Sequence, residues 1–384
     1  MRSLVPSETL IYLETNDLAA ALQPIVDSKP FREAARSTTD FSALRGVQVA
    51  VAVTGFETTE ERLTDENSIG RIQPRFVAVA DTHAWNYQAV AFADQKLGQF
   101  VTDIYGADVA QDQIDKNGGR YFTWTASDGR KSYAQVIDSV IYFGNDESII
   151  DKCMAVRRSE GDSLAKTGKV TGHDPNSLAS GYVSTDGVAQ LGNIAGLRFG
   201  SDLSDEPEMQ SAIAGILPRL IRSSVTEMRW DARKTDQGIE DRYRITMPAD
   251  VANVFVETMA AEIPNMSMLD RLTCSPASVT VYNLSKPQVA WRSLFLVAQK
   301  RTDPVTAQLI GALSNGLLAE YGIADAESFL KIAGTSIVSG NIVGTGGEEH
   351  IAAAATSDVD AMKKTLDPTL RTVEMSREDG RLEL

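Results

Sequence analysis

The amino-acid sequence predicts an α+β protein, with duplicated antiparallel sheet lobes and helices packed on one face. Three observations carry this prediction. The order of elements recurs: Pro6-Ser-Glu-Thr-Leu-Ile-Tyr12 opens one run and Pro276-Ala-Ser-Val-Thr-Val-Tyr282 opens another. Each opening precedes a helical segment, strands, a further helix and a hairpin turning on Asp-Gly-Arg, at Asp128–Arg130 and Asp379–Arg381. A repeat of this length marks a supersecondary unit that buries its apolar face against a neighbour. The apolar runs are strand-length and bounded by polar turns. Finally, 384 residues at 43% hydrophobic and 23% charged make a globular chain too long for one ordinary core.

Thr9–Glu14 is β-rich between Pro6 and Asn16 and reads as the first strand. Asn16 or Asp17 then caps a helix carrying Leu18, Ala21, Leu22 and Ile25 at helical spacing. A short helix follows Pro30, where proline suits a first turn. Val47–Val53 reads as a largely buried strand, and acidic, aperiodic Glu57–Asn67 as an exposed loop. Phe76–Ala80 is a strand that leads into a long helix, Trp85–Tyr105. Strands Arg120–Thr125, Ser132–Ile137 and Val140–Phe143 follow, the first pair joined by the turn Ser127-Asp-Gly-Arg130. A helix over Asp146–Arg157 closes this lobe, residues 1–160.

Residues 161–270 read as a middle connector containing a helix near Glu208–Ile221, a hairpin (Val225–Arg233 with Ile239–Met247) and a helix over Asp250–Glu262. Residues 271–384 form the second lobe. Its strand is Val279–Asn283, its helices Pro287–Lys300 and Pro304–Tyr321, its next strands Ala333–Gly344 and His350–Ala355. A helix at Val359–Leu366 and a hairpin arm at Leu370–Met375 follow, and Leu382–Leu384 starts the return arm. A half-made hairpin leaves backbone groups unpaired, so the natural chain is expected to continue past Leu384 or to receive a strand from a partner near its C-terminus. The abrupt start of the folded pattern at Leu4 suggests that a leader or anchor has been removed.

A net charge of −15 argues against nucleic acid and anionic membrane surfaces as partners and leaves proteins as the expected ones. No apolar run reaches the roughly 18–20 residues of a membrane helix. Two cysteines, Cys153 and Cys274, exclude a disulfide-dense scaffold. They read best as buried free thiols, with pairing left open.

Chemistry is sparsely supplied. His83, His173 and His350 stand far apart and no metal site is expected. Gly161–Gly168 with Lys169 has the wrong spacing for a phosphate loop, and no Gly-x-Ser-x-Gly elbow occurs. No cofactor is expected. The one local cluster is Asp81-Thr-His83-Ala-Trp85-Asn-Tyr87, where a strand hands over to a helix. In a catalytic reading His83 is a general base oriented by Asp81. In the structural reading, which is preferred because fold position alone does not create a site, Asp81 or Thr82 caps the helix and Trp85 is a packing anchor. Trp85, Tyr121, Trp124 and Tyr133 are candidates for a ligand-stacking face, although Phe122 alternates to the other side and a half-buried sheet explains the last three more simply.

Leu4-Val-Pro-Ser-Glu-Thr with Tyr12-Leu-Glu, Phe76-Val-Ala-Val-Ala-Asp-Thr-His-Ala-Trp85 and Phe143-Gly-Asn-Asp-Glu147 together resemble an uncharacterised bacterial family, known as domain of unknown function 3352. The similarity is strongest from Leu44 to Val156. It implies an exported protein of the periplasm or cell surface with an N-terminal signal or anchor. It brings no activity and no catalytic residue. The expectation is therefore a non-enzymatic envelope scaffold or binding protein. The alternatives are a hydrolase using His83 and Asp81, or a subunit joined by strand addition near the C-terminus.

Overall fold

A computed structural model describes residues 1–27, 44–62, 68–170, 177–203, 207–236, 238–260, 266–271, 278–314, 316–344 and 347–367. The chain divides into two units, Met1–Thr246 and Met247–Leu384. It is an α+β protein with one large and one small antiparallel sheet.

The first unit holds β1 (Ile11–Thr15), β2 (Gln48–Arg62), β3 (Ser68–Asp81), β4 (Ala110–Lys116), β5 (Gly119–Thr125), β6 (Lys131–Ile137), β7 (Val140–Gly144), β8 (Ser177–Ser184), β9 (Glu227–Thr235) and β10 (Gly238–Thr246). They form one sheet in the order β10-β9-β8-β1-β2-β3-β7-β6-β5-β4, with each neighbouring pair antiparallel. Its helices are α1 (Leu18–Val26), α2 (Asn86–Phe92), α3 (Gly98–Tyr105), α4 (Glu147–Arg157), α5 (Thr185–Leu203) and α6 (Pro207–Ser224). A π-helical turn, Ala93–Leu97, joins α2 to α3.

The period-two alternation of β7 sorts its side chains between two cores. Val140 and Tyr142 join Tyr12, Ala50, Val77 and Val79 under Ile149, Ile150, Cys153 and Met154 of α4. Ile141 and Phe143 join Phe122, Trp124 and Val136 against Ala89, Ala93 and Val101 of the α2–α3 helix. Helices thus cover both faces at this end of the sheet, one more than the sequence pattern implied.

The second unit holds α7 (Ala249–Thr258), β11 (Ser278–Asn283), α8 (Pro287–Lys300), α9 (Pro304–Ser314), α10 (Ala326–Ile332), β12 (Ala333–Gly344), β13 (Gly347–Thr356) and α11 (Val359–Lys363). Its sheet runs β11-β12-β13. Ile323, Phe329, Leu330 and Ile337 form its core, with Trp291, Leu318 and Tyr321 packed against them.

The structure divides the chain differently from the sequence reading of 1–160, 161–270 and 271–384. The middle stretch is not a connector, because β8, β9 and β10 extend the first sheet. It is also a further occurrence of the repeated unit. Strand, helical excursion, strand, hairpin and strand, then helix, occur as β1-α1-β2-β3-α2, as β8-α5-α6-β9-β10-α7 and as β11-α8-α9-α10-β12-β13-α11. The first two occurrences meet strand to strand, β1 against β8, with Tyr12 directly opposite Tyr182. Tyr282 holds the matching place in β11, and a hydroxyl residue follows each tyrosine three positions on, at Thr15, Thr185 and Ser285. The middle occurrence escaped the sequence reading because Gly181, Gly187, Gly192, Gly196 and Gly200 dilute both strand and helix patterns.

Other differences are local. Glu57–Arg62, expected in a loop, extends β2 and pairs with Ser68–Gln73 in a long hairpin. β4 was not foreseen, since Ala-Gln-Asp-Gln-Ile-Asp-Lys lacks β-branched residues except Ile114 and owes its conformation to pairing with β5. The short helix after Pro30, the hairpin at Leu370–Leu384 and Cys274 lie outside the described residues. No helix among the described residues is long and apolar enough to cross a membrane.

Candidate functional site

The strand-to-helix handover does bring His83 and Asp81 together. His83 Nδ1 lies 3.4 Å from Asp81 Oδ1. That oxygen also accepts the His83 backbone N–H at 3.0 Å and the Ser139 hydroxyl at 2.8 Å. His83 sits in the left-handed region at φ +51°, with its side chain 55% exposed. Asp81 thus closes a local turn, and Thr82 supports it by accepting the Ala84 N–H and donating to Ser139 O. Neither Asp81 nor Thr82 caps the helix as the sequence suggested. Trp85 occupies the N-cap, and its backbone N–H goes to Gln88 Oε1 at 3.1 Å. Trp85 is no packing anchor either, being 74% exposed.

The aromatic candidates separate. Tyr121 and Tyr133 share one face, their ring centroids 6.3 Å apart. Trp124 points to the opposite face, stacked on Phe122 at 5.6 Å with Nε1 donating to Gln111 Oε1. The proposed stacking surface of Tyr121, Trp124 and Tyr133 is therefore not one surface, because odd and even positions of a strand face apart. Trp124 and Tyr121 are buried in packing.

Beneath α4, Tyr121, Gln135 and Tyr142 form a cross-strand row. Burial raises the Tyr121 and Tyr142 hydroxyls above the ordinary tyrosine range. Lys116 Nζ lies 4.6 Å from the Tyr121 ring centroid and bonds Glu147 at 2.9 Å, with Asp151 at 3.1 Å. Further along the same face Glu14 is 6% exposed. It accepts Arg2 Nε at 2.8 Å, the Tyr12 hydroxyl at 2.8 Å and the Ser180 hydroxyl at 3.3 Å. Burial pushes the Glu14 carboxyl up, but the Arg2 and Tyr12 bonds and the Arg2 charge outweigh it, so Glu14 titrates below the ordinary glutamate range. This network pins the 3₁₀ turn Arg2–Leu4 to the sheet through a buried carboxylate, so it is structural.

The most apolar concave site described lies in the second unit. An apolar cavity of about 330 Å³ opens among α7, α8, the 3₁₀ turn Gly316–Tyr321, α10 and the β11–β13 sheet. Ile323, Phe329, Leu330, Ile337 and Ala290 are among its buried lining residues. Phe255, Trp291 and Leu318 form walls, and Tyr282 and Leu294, 47% and 36% exposed, mark its open side. Among the described residues no charged side chain lines it. Among the described residues its polar side chains are Thr258, Ser339, the hydroxyls of Tyr282 and Tyr321, and the indole N–H of Trp291. The Thr258 hydroxyl is already committed to the Val254 carbonyl. The Tyr321 ring stands edge-on to His350 at 5.5 Å, and His350 Nδ1 contacts Asn341 Oδ1 at 2.9 Å.

Sequence reasoning identified none of these residues as a site. The available signal was α8, where Val289, Ala290, Trp291, Leu294, Phe295 and Leu296 make a helix apolar around much of its girth. Among the described residues no group of three or more His, Cys, Asp or Glu side chains is placed to hold a metal. Comparisons of the chain with protein-family models, curated proteins and solved structures found no match.

Proposed function

We propose that this chain is a non-enzymatic binding protein of the bacterial cell envelope, and that its second unit takes a small uncharged apolar ligand. The carrying observation is the cavity of about 330 Å³ with no charged lining residue. Protein cores seldom leave voids larger than a water molecule. At about 24 cal/mol per Å³, an empty space of this volume would cost about 8 kcal/mol. That figure is a ceiling, because the cavity is open on one side. It is nevertheless comparable with the whole stability of an ordinary domain, about 5–15 kcal/mol. A preformed apolar hollow of this size is what a ligand site needs.

Volume and lining narrow the ligand. An engineered apolar cavity of about 150 Å³ holds benzene, so this one suits two such rings or an aliphatic segment of equal bulk. The Tyr282 and Ser339 hydroxyls offer hydrogen bonds to one or two neutral oxygens and nothing to a full charge. The envelope location rests on the resemblance carried by Leu4–Thr9, Phe76–Trp85 and Phe143–Glu147. The test is a titration with uncharged N-phenyl-1-naphthylamine, read by its emission shift. Binding is expected for the wild-type chain and lost in Ala290→Leu, which fills the hollow from a buried wall position. Equal binding by both proteins, or by neither, overturns the reading.

A further inference from the structure

The first unit carries a separate, polar cleft at the end of the sheet where α2 meets two hairpin turns. Its volume is about 660 Å³, and Asn86, Tyr87, Asp115, Asn117, Arg120 and Asp138 supply its principal groups. We infer that this cleft binds a neutral oligosaccharide.

Two tight turns build it. Lys116-Asn117-Gly118-Gly119 joins β4 to β5 with positive φ at both central residues, 54° and 78°, the Asn-Gly form of a tight hairpin. Asp138 turns β6 into β7 at φ +56°. The polar side chains are braced through one atom each. Asn86 Nδ2 donates to the Asp138 carbonyl at 3.1 Å, Arg158 donates to Asn117 Oδ1 at 3.3 Å, and Arg157 donates to Asp138 Oδ2 at 2.7 Å. Bracing of this kind leaves the second polar atom of each group, Asn86 Oδ1, Asn117 Nδ2 and Asp138 Oδ1, with bonding capacity and little rotamer freedom to lose.

Two features select the ligand. Charge among the lining residues balances, Asp115 and Asp138 against Lys116 and Arg120. Arg120 lies 3.4 Å from Asp115, and Lys116 is held by Glu147 and Asp151. Among the described lining residues each cation is thus paired, which disfavours a phosphate or sulfate. Among these lining residues Tyr87 presents its ring to solvent, 70% exposed. A pyranose has an apolar C–H face that lies on an aromatic ring and a rim of hydroxyls that both donate and accept. The exposed Tyr87 ring next to planar Asn, Asp and Arg groups answers both properties.

The test uses the full chain with cellohexaose, maltohexaose, N,N′-acetylated chitohexaose and, as the anionic comparison, a heparin hexasaccharide, measured by calorimetry and saturation-transfer NMR. At least one neutral hexasaccharide is expected to bind. Tyr87→Ala should weaken it about fivefold or more, the loss of one stacking contact. Asn117→Gly, which keeps the turn, should weaken it similarly. Both variants alter exposed positions, and unchanged circular dichroism verifies the fold. Three results each overturn the inference: no neutral sugar binding, binding of the heparin fragment alone, or full affinity retained by both variants.

Discussion

Glu14→Gln tests how the first unit is held together. The Glu14 side chain is 4% exposed and that of Arg2 15% exposed. The substitution removes the counter-charge of Arg2 and replaces an acceptor oxygen with an amide N–H facing the same donors, which include the Tyr12 and Ser180 hydroxyls. Breaking one side of a buried ion pair costs about 3–5 kcal/mol. Arg2 keeps partial contact with solvent, its side chain being 15% exposed, so the expected loss is about 2–3 kcal/mol. The sign of its pH dependence follows from the lowered folded-state pKa of Glu14. The stabilisation is complete above the ordinary glutamate value of about 4.3 and disappears as pH falls through the lower folded value. The gap between wild type and variant should therefore be full at pH 7 and shrink under acid. Hydrogen exchange of the Ile11–Thr15 amides across a urea series reads it locally. A gap under about 0.5 kcal/mol at pH 7, or one that widens under acid, would refute the account of this network.

Two further predictions concern the same unit. Cys153 is a buried free thiol whose pKa is pushed up to about 12 by burial, with a smaller contribution from Glu8. It should resist iodoacetamide at pH 8 in the folded protein and react quickly in denaturant, and equal rates in both would contradict the packing under α4. Gly119→Ala would bring a Cβ to 2.0 Å from the Val136 carbonyl oxygen, so β5 and β6 must separate. We expect a loss of more than about 3 kcal/mol by urea unfolding, and a change within about 0.5 kcal/mol would show that the strands have room.

The parts of the fold legible in the sequence were those with dense local signals. The strand at Ile11–Thr15, the Asp17 cap accepting Ala20 N–H, and α4 with its Asp146 cap accepting Ser148 N–H follow from propensity and capping chemistry. The middle occurrence of the repeat was not legible, because five glycines weaken it and only pairing with β1 and β9 makes Ser177–Ser184 a strand. The acidic start of the long hairpin was read as a loop for the same reason, since partner strands override polar composition. The candidate site was least legible. His83 and Asp81 are neighbours in sequence and in space, yet Asp81 is occupied by turn contacts. Trp124 and Tyr121 are parted by strand alternation. The cavity brings together residues from Val254 to Ala352, a juxtaposition that exists only once helices α7, α8 and α10 settle on the small sheet.

Methyl NMR is the most direct test of the ligand-binding proposal. With ¹³C-labelled Ile, Leu and Val methyls, N-phenyl-1-naphthylamine should shift Val254, Leu284, Leu294, Leu318, Ile323 and Ile337, all lining residues of the cavity. The methyls of Val77, Val79, Val136 and Ile150 in the first unit should stay in place. Shifts confined to the first unit, or scattered over exposed methyls without saturation, would contradict an apolar ligand site in the second unit.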